Sequence, residues 1–196
     1  MHNHMQTNLL WRGREYYSLE NCLVENKPDG VIVKSTIIGY YEEKIYRVEY
    51  TIQTNAAWET ISVEINSWHD NQSQHAHFIS DRQGNWTENG KIIEAFAGCI
   101  DVDIPLTPFT NSLPINRLKL SKDQTQEIKV IYCDILEKQI SAVRQKYTCI
   151  SPTSYHYENV PNDFEATIEV DDSGFVVDYP ALFVRKAALG SSYKVF

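Results

Sequence analysis

Two carboxylates two residues apart, Asp101 and Asp103, are the groups in this chain best spaced to act together. On an extended strand, residues two apart point the same way and lie about 6.5–7 Å from one another. That is near the ~6.5–9.5 Å between acid and base in inverting glycosidases, so a hydrolase acting on a glycoside or ester is one reading. Glycosidase carboxylates, however, flank the scissile bond from two different elements, whereas these stand side by side on one. The structural reading makes them acceptors that tie the middle of the chain to loops and to Asn111 or Arg117.

His75 and His77 alternate as two metal ligands on one strand face would, with His69, Asp70 and Asp81 nearby. No cysteine or carboxylate stands at a fixed ligand spacing from them. The expectation is therefore solvent-facing strand histidines and no metal, with His2 and His4 in a fraying terminus. There is no Gly-x-Ser-x-Gly elbow, phosphate-binding glycine loop or dinucleotide fingerprint. Nothing nominates a catalytic residue or a cofactor.

Aromatic content is the remaining chemical signal. Twelve tyrosines and four tryptophans stand in 196 residues, which favours strands and ligand-gripping surfaces. Trp11, Trp58, Trp86 and Phe109 are the candidate ligand-lining residues, while core packing is the favoured reading of any single tryptophan, Trp68 included. The net charge of -8 and the lack of any basic run argue against nucleic acid or an anionic membrane face. No apolar run approaches the ~20 residues that span a bilayer, so no membrane insertion is expected. The first residues lack a charged and then apolar leader, which makes the cytoplasm the expected compartment. Cys22, Cys99, Cys133 and Cys149 are widely spaced, as suits reduced, buried thiols.

These groups must be positioned by strands. Residues 31–38 are β-branched almost throughout, and 45–53 alternate at Tyr46, Val48, Tyr50 and Ile52, one face dry and the other wet. Similar runs follow at 58–68, 77–88, 126–134, 155–158, 164–170 and 175–180. Residues 139–149 also show helical spacing through Leu136, Ile140 and Val143, but the alternation at Val143, Tyr147 and Cys149 favours strand. The predicted fold is all-β and mainly antiparallel, a strongly curved sheet or incomplete β-barrel of about ten to twelve strands with a few short helices. A single domain over 1–196 is expected. The strand, Asp-x-x-Gly, aromatic pattern at 81–86 recurs at 171–175, which leaves open two similar β-meander halves (about 11–97 and 121–186) joined by 98–120.

Within that joining stretch, Ile100, Val102 and Ile104 alternate with the two aspartates, placing carboxylates on one face and apolar groups on the other. Pro105 stops the strand. Thr107 and Pro108 suit the cap and first position of a single helical turn that Pro114 should end. The sequence Gly98-Cys-x-Asp-Val-Asp-x-Pro-x-Thr107-Pro108-Phe109-Thr110-Asn111-x-Leu-Pro-Ile115, followed by Arg117, closely resembles the hallmark of an uncharacterised family labelled glycolipid-binding. Trp11, the Trp58 strand, the 81–86 hairpin and residues 170–183 resemble it too.

The family is similar in fold to bacterial lipoprotein carriers, whose curved sheet holds acyl chains. The resemblance implies non-catalytic binding of a lipid-like or glycolipid-like molecule in the concavity of the sheet, with Asp101, Asp103, Thr107, Pro108, Thr110, Asn111 and Arg117 as motif residues. It transfers no catalytic residue. A ligand-free structural or oligomeric protein is the third reading.

Overall fold

The computed structural model of the chain describes residues 3–69 and 71–194; His2 and Asp70 fall outside them, as does the side chain of His4. Fifteen strands form one sheet: β1 (Asn3–Gly13), β2 (Leu19–Lys27), β3 (Gly30–Tyr41), β4 (Lys44–Asn55), β5 (Thr60–His69), β6 (Gln72–Ser80), β7 (Trp86–Glu88), β8 (Lys91–Ile92), β9 (Asp101–Asp103), β10 (Thr125–Asp134), β11 (Gln139–Ser151), β12 (Ser154–Val160), β13 (Glu165–Val170), β14 (Val176–Tyr179) and β15 (Phe183–Lys194). The count exceeds the ten to twelve expected. Two extra strands are short edge pieces, β8 and β9, whose two or three residues carry little periodic signal.

The order runs β8 to β1 by successive hairpins, then β15 back to β9, so that the two ends of the chain pair in the middle and the sheet stays open. All neighbours are antiparallel except β9 and β10. The residues that alternate in the sequence of β4, Tyr46, Val48, Tyr50 and Ile52, are each at most 2% exposed. Residues 139–149 are strand, within β11. The two Asp-x-x-Gly turns close alike. Asp81 Oδ1 accepts from the amides of Gln83 and Asn85 at 2.7 and 3.0 Å, and Asp171 Oδ1 from those of Ser173 and Phe175 at 2.9 and 3.0 Å.

The joining stretch goes inside. Val102, Ile104, Leu106, Phe109 and Leu113 pack into the same core as the inward faces of β1–β7, and Ile131 and Cys133 of β10 join them. The intervening residues of β10, Ile128 and Val130, face a second core with Tyr147, Tyr157, Ile168 and Tyr179. The β9–β10 end of the sheet is thus buried on both sides, which explains why β10 reads as a nearly continuous apolar run. The side chains of the joining stretch pack against the inward faces of β1–β7.

The helical part is longer than one turn. A 3-10 turn (Phe109–Asn111) runs into α1 (Ser112–Leu118). Pro114 does not end it, because in the first turn of a helix its missing N–H is not needed. The end comes at Lys119, left-handed at φ 47°.

Candidate functional site

A cavity of about 260 Å³ opens at one end of the second core. Its wall is a run of aromatic rings. Tyr16 from the β1–β2 loop stacks on Phe183 of β15, centroids 6.0 Å apart; Phe183 meets Tyr179 of β14 at 6.3 Å; Tyr179 meets Tyr157 of β12 at 6.3 Å; and Phe164, just before β13, lies 6.1–6.2 Å from both. Tyr132 of β10 lines the cavity as well. Tyr157 points inward because its cross-strand neighbours are Ala166, which leaves space, and Tyr147, whose ring meets it edge-on at 5.3 Å. Tyr16 is fixed by the Tyr41 ring at 5.0 Å and by Tyr46 Oη, which donates to its carbonyl at 3.2 Å. The Tyr46 phenol in turn lies against Gly39, where a Cβ would collide with it.

The floor is polar. Asp103, Thr107 and Asn111 line it, with Asn159 and Glu15 at the side. Asp103 Oδ1 accepts from Thr110 Oγ1 at 3.0 Å and Oδ2 from Gln145 Nε2 at 2.6 Å. Asn111 Oδ1 accepts from Tyr147 Oη at 2.9 Å. Thr107 Oγ1 accepts from the Phe109 amide at 3.0 Å, one residue ahead of the Pro108 N-cap, and donates to Glu20 Oε1 at 2.8 Å. Ser35 Oγ and Tyr50 Oη also donate to Glu20 Oε1, both at 2.7 Å. Glu20 is 2% exposed, and burial pushes its carboxyl up to about 7 against those three bonds. It clamps the joining stretch to β2, β3 and β4.

The two aspartates share a face but not a role. The side chain of Asp101 is fully buried, and the Arg117 guanidinium grips both its oxygens at 2.6–3.2 Å. Burial pushes the Asp101 carboxyl up while Arg117 works against it. Asp103 has no cation among its partners; burial raises it too, opposed by neutral donors alone. The Tyr132, Tyr157 and Tyr179 hydroxyls are all held above their ordinary range, first by burial and then by the Asp103 charge, so they stay neutral.

Of the residues singled out in the sequence, Asp103, Thr107 and Asn111 meet at the cavity, Thr110 lies one hydrogen bond behind, and Asp101 with Arg117 forms a buried clasp. Pro108 is buried ahead of the 3-10 turn. The four aromatic residues expected at a ligand lie elsewhere. Trp11 and Trp86 are fully buried, their indole N–H groups donating at 2.8 Å to the carbonyls of Val176 and Cys99. Phe109 is buried against Phe175, which the half-buried Trp58 also meets. Trp68 is 40% exposed under the Arg47 guanidinium.

His75 lies 3.1 Å from Glu64 on the outer face. The group of three possible metal ligands found among the described residues is instead His156, Glu158 and Glu165. There the Lys146 ammonium already sits 2.8 Å from Glu158. All four cysteines are free and buried. Sequence reading missed the tyrosines of the wall and Glu20; the tyrosine excess was the signal for the former.

Fold and cavity together define a β-barrel-like protein, one sheet left open along a seam, with a recess of about 260 Å³ at one end. The chain belongs to the family described as "Putative glycolipid-binding", whose sequence profile matches residues 8–185. It is similar to the crystal structure of a DUF1089 family protein from Pseudomonas aeruginosa, with 30% identity, a TM-score of 0.76, and 85% of this chain and 92% of that one covered. A β-barrel-like protein of the DUF1849 family from Brucella abortus shares the fold at 9% identity and a TM-score of 0.50, covering 98% of both chains. No curated protein sequence matches this chain.

Proposed function

We propose that this protein is a non-catalytic binding protein for a lipid-like or glycolipid-like molecule, which it grips by one end in the tyrosine-lined cavity. The observation that carries this reading is the wall of Tyr16, Phe183, Tyr179, Tyr157 and Phe164, where one end of the second core stays open around a cavity. At about 260 Å³ the cavity falls just below the ~300–1,000 Å³ that encloses a whole small ligand. A head group fits it, and an acyl chain must run outside. The burial and clasping of Asp101 weigh against the hydrolase reading, because the two carboxylates do not address one bound molecule.

Mass spectrometry of a solvent extract of the purified protein tests this. Wild-type protein yields a stoichiometric lipid-like species, and Leu182→Trp, which fills the cavity from its rim, yields none. Extracts that are empty, or identical for the two proteins, contradict the proposal.

A further inference from the structure

The cavity is lined by carboxyl groups with no cationic side chain beside them. Glu15 and Asp103 line it, and among the described lining residues there is no lysine, arginine or histidine. The arginines on neighbouring elements are turned to other carboxylates: Arg117 to Asp101, Arg14 to Asp178 at 2.7 Å, Arg144 to Glu127 at 3.2 Å. A buried carboxylate ordinarily has a cationic partner, and Asp103 has only a hydroxyl and an amide. Anionic head groups, phosphate and sulfate included, are excluded by the same carboxylates.

The floor is also occupied with itself. Asn111 is bonded to Tyr147 and to the Pro108 carbonyl, Asn159 to Tyr157 and Asp163, Thr107 to Glu20 and the Phe109 amide. The donors left on the lining are the phenols of Tyr16, Tyr132 and Tyr179, which burial keeps protonated. Beside those phenols the cavity offers two carboxylates without a cation and the π faces of aromatic rings, the combination that recognises an alkylated ammonium group.

We propose that the cavity binds an alkylammonium group, held against the wall formed by Tyr157, Phe164 and Tyr179 beside the Asp103 carboxylate. The inference rests on the reading of this cavity as the ligand site, and adds that the bound end of the ligand is cationic. An aminated lipid head group and a free small cation share this chemistry.

Calorimetric titration of the full chain separates the possibilities. The probes are choline, its uncharged isostere 3,3-dimethylbutan-1-ol, methyl glucoside and hexyltrimethylammonium. Choline binds at least about tenfold more tightly than its isostere, a desolvated cation–π and charge contribution. Asp103→Asn brings that ratio close to one, and Phe164→Leu weakens choline several-fold while leaving the thermal transition cooperative. If Asp103→Asn does not fold, the wild-type ratio and Phe164→Leu decide alone.

Hexyltrimethylammonium binding more tightly than choline marks a lipid source, and equal binding a free cation. Equal affinity for choline and its isostere, preference for the glucoside, or no heat with choline overturns the inference. A lipid recovered in extracts without choline selectivity removes this inference and spares the lipid reading. Choline selectivity with empty extracts does the reverse.

Discussion

Replacing Arg117 with methionine removes the cation from a fully buried carboxylate and keeps most of the side-chain volume. Asp101 is 0% and Arg117 14% exposed at the side chain, and both Asp101 oxygens depend on that one guanidinium. Breaking such a pair from one side costs about 3–5 kcal/mol, because the remaining charge stays buried. Against a typical total of about 5–15 kcal/mol this is a large share. At ~2–4 °C per kcal/mol for a chain of this size it lowers Tm by roughly 6–20 °C.

The loss has a pH signature. Protonation relieves the stranded Asp101, so Arg117→Met is less destabilised at about pH 5 than at pH 8. Adding Asp101→Asn to Arg117→Met restores part of the loss, since the charge itself is gone. Circular dichroism melts and urea titrations of the wild type, both single variants and the double variant measure all of this. An Arg117→Met protein melting within about 2 °C of wild type refutes the clasp. So does a double variant worse than the sum of the singles.

Glu20 titrates with the opposite sign to an ordinary salt-bridged carboxylate. Its folded pKa of about 7 lies above the unfolded 4.5, so its stabilisation is complete below pH 4.5 and lost as pH rises through 7, by about 3 kcal/mol over that window. Glu20→Gln flattens this part of the stability–pH curve, and a curve unchanged by the substitution removes Glu20 from the account. Gly39→Ala drives a Cβ into the Tyr46 phenol and Ser18. It destabilises by ~1–3 kcal/mol and, through the Tyr46–Tyr16 bond, weakens any ligand of the cavity; calorimetry beside a melt checks both. Gly174→Ala meets Asn116 of α1 at 2.5 Å from a backbone at φ +74°. A loss of at least ~1 kcal/mol is expected, and a neutral urea midpoint contradicts it.

Much of the sheet was legible because alternation is a local signal. Tyr46, Val48, Tyr50 and Ile52 announce their face from within nine residues, and Asp171 and Gly174 announce a turn. The closure of β1 on β15 was not, since it joins residues about 180 positions apart with no local trace. Pro114 misled because the same residue ends a helix in one register and opens it in another. The tryptophans are large enough to fill a core or line a cavity, and only their neighbours decide between the two.

The cavity was illegible for a similar reason. Tyr16, Tyr132, Tyr157, Phe164, Tyr179 and Phe183 come from separate strands and loops, and no spacing connects them. Asp101 and Asp103 were visible as a pair. What separates them, Arg117 under one and Gln145 under the other, depends on which element packs where.

The most direct measurement is a two-dimensional NMR titration of isotope-labelled protein with lipids extracted from the cells that produce it. The account predicts shifts concentrated at Tyr16, Asp103, Tyr157, Tyr179 and Phe183, and abolished in Leu182→Trp. Shifts centred instead on the exposed outer residues Ile38, Ile45 and Trp68, or no shift anywhere, would contradict it.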